Sequence, residues 1–118
     1  MIKQLFFVFS ASVSSIAIAQ ADTPPAIQSA INDGAIYEAC VIDNAKRLGA
    51  DNSEPAHDIV IAAERHCDFT PVRQKLFNII ASGYNMQSAE NLLRIIPQEA
   101  EDNAVSALIE LRAAKPKQ

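Results

Sequence analysis

Residues 40–67, CVIDNAKRLGADNSEPAHDIVIAAERHC, decide how this chain is read. Tyr37, Cys40, Val41, Ala45 and Leu48 recur at the spacing of one helix face. After a turn at Ala50-Asp51-Asn52-Ser53, so do Ala56, Ile59, Val60, Ala63 and Cys67. The first helix is predicted over about 34–48, with Gly49 as its left-handed stop. The second is predicted over about 54–68, capped by Asn52 or Ser53, with Glu54 and Pro55 in its first turn. An antiparallel return brings Cys67 back beside Cys40. The stretch therefore reads as a helical hairpin closed by a Cys40–Cys67 disulfide.

That reading depends on where the chain resides. Lys3 is followed by an apolar run from Leu5 to Ile18, interrupted by serines, and then by Ala17-Ile18-Ala19-Gln20-Ala21. A short basic start, a modest apolar run and alternating small residues describe a secretory signal peptide over 1–21, with cleavage after Ala21 favoured over Ala19. A membrane anchor is the weaker alternative, because a bilayer span needs about 20 largely apolar residues. The expected product has about 97 residues in one helical domain over 22–114, with a frayed tail over 115–118. It has no stable membrane anchor, and its expected location is periplasmic or secreted. In an oxidising compartment two cysteines form a bond by default, and two allow one pairing. Two buried free thiols are the competing reading.

Outward from the hairpin the pattern stays helical. Thr23 followed by Pro24 and Pro25 reads as a cap and first turn, opening a short helix to about Asn32. Asn32-Asp33-Gly34 predicts a kink or break. Thr70 caps a third helix with Pro71 at its first position; Val72, Leu76, Ile79 and Ile80 form its stripe, and Gly83 ends it. Ala89, Leu92, Leu93 and Ile96 mark a fourth helix. Its stripe continues in phase through Ala100, Ala104, Leu108 and Leu111, but Pro97 favours a break, with a last helix over about 98–114. No segment alternates with period two. The fold class is all-α, a small bundle of four to five short helices containing one disulfide-stapled hairpin.

Composition excludes more than it assigns. Loss of Lys3 takes the formal charge from −4 to −5, with no basic stripe, so nucleic acid is set aside. His57 and His66 lie nine residues apart and face opposite sides of a helix, so they share no metal there. Glu99, Glu101 and Asp102 read as charges that complement the dipole of the last helix. Asn44, in mid-stripe, reads as a helix-to-helix hydrogen bond or a partly wet edge rather than a ligand contact. There is no nucleophile–base pair, glycine-rich loop or ligand pattern, so no catalytic, cofactor or metal residues are assigned. Ile42 projects from the back of its helix with Ala35 and Ala39, and Ile61 does so on the second helix. They pack against the C-terminal helices or form a surface for a partner or for self-association.

In size, helix content and cysteine number the chain resembles small exported helical proteins with one disulfide, among them acid-stress periplasmic chaperones. No residue is carried over from that resemblance. The leading expectation is a non-enzymatic exported protein that binds a protein or peptide in the periplasm. An acid- or stress-conditional chaperone is the alternative, and a small hydrolytic enzyme is disfavoured.

Overall fold

A computed structural model describes residues 23–114; the predicted signal peptide and the predicted frayed tail lie outside the described residues. Four helices make up most of that span: α1 (Pro25–Gly49), α2 (Ala56–Glu64), α3 (Thr70–Ser82) and α4 (Met86–Ala114). Among the described residues there is no strand.

The helix α1 is the spine. The disulfide joins its middle, Cys40, to Cys67 just beyond α2, with the two Cα atoms 5.9 Å apart. From there α3 continues back along the N-terminal half of α1, where Lys75 reaches Asp33 and Ser29. The tight turn 83–85 then sends α4 in the same sense as α1. Ile96 lies beside Gly34, Asn103 donates to Glu38, and Leu108 lies beside Gly49. Helices α2 and α3 pack on α1 and α4 but not on each other. The architecture is thus an up–down–up bundle of three rods, and the middle rod is broken where the disulfide holds it.

The predicted stripes form the core. Val41, Val60, Val72, Leu76 and Leu108 are its largest fully buried side chains. Buried alanines, including Ala30, Ala45, Ala63, Ala89, Ala100 and Ala104, fill much of the rest. Small side chains let neighbouring helices approach closely, so much of the packing is dispersion between backbones and short side chains.

Several boundaries differ from the sequence expectation. Helix α1 runs through Gly34 without a break. A Cβ at Gly34 would stand 3.0 Å from Ile96 Cδ1, so this glycine serves the close approach of α4. Helix α4 likewise continues through Pro97. The proline removes one backbone bond at a cost of about 3 kcal/mol. Stopping there would turn Leu92, Leu93 and Ile96 out of phase with Ala100, Ala104 and Leu108. Each large side chain buried contributes about 1.5–3 kcal/mol, so continuity wins.

The helix α2 is shorter than predicted at both ends. Pro55 occupies its N-cap, while Asn52 instead accepts from Glu54 N at 2.9 Å and donates to Leu48 O at 3.1 Å. At the other end Arg65, His66 and Cys67 donate to carbonyls three residues back. This tighter winding takes Cys67 off the helix and toward α1. For α1 the N-cap is Pro24 rather than Thr23, and Thr70 is the first residue of α3 while Asp68 accepts its N–H at 2.9 Å. Gly83 is left-handed as predicted, with φ 82°. Gly49 is not; it is the last, buried residue of α1.

Arg112, in the last turn of α4, fastens the loop between α1 and α2. Its Nε donates to Gly49 O at 3.0 Å and its Nη1 to Glu54 O at 2.7 Å. One side chain thus satisfies an orphan carbonyl of α1 and anchors the loop behind it.

Candidate functional site

Three features stand out on this frame: the disulfide corner, a polar cluster and an open apolar groove. At the corner, Cys67 and the T-shaped pair of Phe69 and Tyr37, with ring centroids 5.0 Å apart, cover the junction of α2 and α3. The guanidinium of Arg73 lies 5.6 Å above the Phe69 ring. Asn44 donates to Cys40 O at 2.9 Å and lies against both sulfurs, and it accepts from Arg47. Its main bond is within α1 rather than between helices. It is half-buried beside the disulfide, at a partly wet edge. His66 is exposed at this corner.

The polar cluster was only partly legible in the sequence. Glu101 lies in the middle of α4, far from either end, and its Oε1 is 2.5 Å from His57 Nε2. The helix dipole therefore does not account for it. Its close contact with the His57 imidazole does. Glu64 of α2 faces the same space, and its Oε1 is sealed from solvent without a hydrogen-bond partner. Burial, then the charge of Glu101, push the Glu64 carboxyl above the ordinary range, while His57 opposes them. Burial, then Glu64 and Glu101, raise the Tyr37 hydroxyl as well.

A folded-state pKa above the unfolded value means that protonation of Glu64 favours the fold. That contribution is complete below the unfolded carboxylate range and is lost as pH rises through the raised value. Glu64→Gln is therefore expected to raise the melting temperature at neutral pH and to leave it unchanged in acid, where the wild-type group is already neutral. Thermal melts across pH 3–8 check this; an equal shift at both ends would sink the assignment.

The groove lies between α1 and α4 and has a volume of about 320 Å³. Ile31 and Ala35 line it from α1, and Leu92, Ile95 and Ile96 from α4, with Gly34 at its floor. Glu38 and Glu99 complete it, one from each wall. Ile42 lies on the same stripe of α1, four residues beyond Glu38, but is half-buried against the core. Ile61 is 40% exposed on α2 and does not line the groove. The structure thus separates these two residues. The back face of α1 noted in the sequence leads into the groove through Ala35, whereas Ile95, on the opposite wall, was hidden beside the stronger stripe of Leu92, Leu93 and Ile96.

Among the described residues no group of three or more His, Cys, Asp or Glu is placed to hold a metal ion, and no helix is long and apolar enough to cross a membrane. Fold and site together define a small all-α protein, a disulfide-stapled helical bundle with a groove open between its two long helices. No protein-family model, no curated protein and no solved structure matches the chain.

Proposed function

We propose that this is an exported, non-enzymatic interaction protein, periplasmic or secreted, that holds a protein or peptide against its helical surface at the α1–α4 groove. The observation that carries this reading is the groove itself. Ile31, Leu92, Ile95 and Ile96 line an opening between the two long helices, with a carboxylate on each wall. Export is supported by the character of residues 1–21 and by the disulfide, a bond that persists in oxidising compartments.

A photo-crosslinking residue at Ile31 or Ile95 tests this in cells that express the full chain. Both groove positions are expected to capture the same product, and a control at exposed Gln74 is expected to capture none. Equal capture at Gln74, or none from the groove, overturns the reading. The acid-conditional alternative draws no support from Glu64, whose protonation strengthens the fold instead of loosening it.

A further inference from the structure

The two walls of the groove are not equivalent along their length, and the difference specifies an occupant. Because α1 and α4 run in the same sense, Ile31 and Leu92 lie at one end, and Glu38 and Glu99 lie at the other. The two carboxylates come from opposite walls and line the same end. Asn103 donates to Glu38 Oε1 at 2.6 Å, which fixes that side chain in place. No Lys, Arg or His lines the groove. From Ile31 to Glu38 is seven residues, about 10 Å of helix or two turns.

We propose that the groove takes a cationic amphipathic helix of about two turns belonging to a partner protein. Its aliphatic side chains, at i, i+3 or i+4, and i+7, lie against Ile31, Leu92 and Ile95. A Lys or Arg at the far end sits between Glu38 and Glu99. A third helix laid between two that run side by side extends the bundle by the packing that already holds it together. The two carboxylates, Glu38 held by Asn103 and Glu99 on the opposite wall, select the sign of the incoming charge and the direction in which the helix lies. This inference rests on the groove being the binding surface, as proposed above.

The probe is a labelled 14-residue peptide of leucine and lysine with an amphipathic helical pattern, compared with a counterpart in which every lysine is glutamate. Binding to the full chain is read by fluorescence anisotropy. The lysine peptide is expected to bind at least tenfold more tightly, less so at high salt. The pair Glu38→Lys and Glu99→Lys is expected to remove most of that preference. The pair Glu54→Lys and Glu90→Lys, which changes the net charge equally but away from the groove, is expected to leave it intact. Ile95→Asp is expected to abolish binding of both peptides, with the helical circular dichroism of each variant confirming its fold.

Equal binding of the two peptides, or equal loss in both charge pairs, overturns the inference. So does a concentration-dependent dimer that forms without peptide and disappears in Glu38→Lys, because the occupant is then a second copy of this chain. If groove cross-links form in cells while the lysine peptide fails to bind, the charge preference is wrong and the groove remains the site. If neither occurs, the proposed function fails with it.

Discussion

Replacing Cys40 and Cys67 together by alanine is expected to lower the free energy of unfolding by about 3–4 kcal/mol. The cysteines are 27 residues apart in sequence. Closing a loop of that length removes unfolded-state entropy worth about 3.5 kcal/mol in the chain-entropy description. The effect is large for a small domain, whose whole stability is of order 5–15 kcal/mol. Placement adds to it. Helices α2 and α3 do not pack on one another, so the bond is the covalent tie between their junction and α1. The nine residues of α2 are too few to hold a helix without tertiary support. Urea unfolding of the oxidised wild type and the double variant measures the difference. A loss under about 1 kcal/mol would mean that packing alone holds the corner.

Gly49→Ala is expected to destabilise the protein by about 1–2 kcal/mol, although helix propensity alone argues for a gain of about 1 kcal/mol. Gly49 is a buried helical residue with ordinary backbone geometry, so alanine suits its conformation. Space is what opposes it. A Cβ there would stand 2.7 Å from Leu108 Cδ2 and 2.9 Å from Ile59 Cγ2. Leu108 is fully buried and Ile59 nearly so, so each must shift within a packed core to admit the methyl group. Gly34→Ala is the contrast: its close neighbour Ile96 is half-buried, so the propensity gain and the crowding nearly cancel. Combining Gly49→Ala with Leu108→Ala, which removes the crowding atoms, is expected to cost less than the sum of the two single changes. Strict additivity in denaturant titrations would show that the two side chains do not compete for space.

The same glycine shows where sequence reading stops. After the stripe ending at Leu48, Gly49 has the composition of a left-handed helix stop, and at Gly83 that argument holds. At Gly49 the requirement comes from α4, nearly 60 residues further along the chain. Gly34 and Pro97 fail for a related reason. Local propensity counts each as a break, with no account of the apolar side chains that a continuous α1 and α4 bury together. Arg112 and Glu101 were equally beyond a local argument. Each has an ordinary place on its own helix, and each is explained by a partner far away in sequence, Gly49 and His57 respectively.

For the candidate site the balance is similar. Ala35 and Ile42 announced a back face on α1 because a helix period can be counted along one segment. Which part of that face stays open, and that Ile95 and Glu99 form its other wall, depends on how α4 lies along α1. Ile61, equally plausible from spacing, lies on a different surface.

The sequence by itself determined the all-α class, the apolar stripes, the single disulfide pairing and the left-handed stop at Gly83. These are properties of helical period, turn chemistry and cysteine number, which act within a segment or allow one solution. Tertiary structure decided that Gly34 and Pro97 lie inside continuous helices, that Gly49 is demanded by Leu108, and that Glu38 and Glu99 line one groove from opposite walls. Those outcomes depend on close contact between segments far apart in the chain, where packing outweighs the propensity of any one residue.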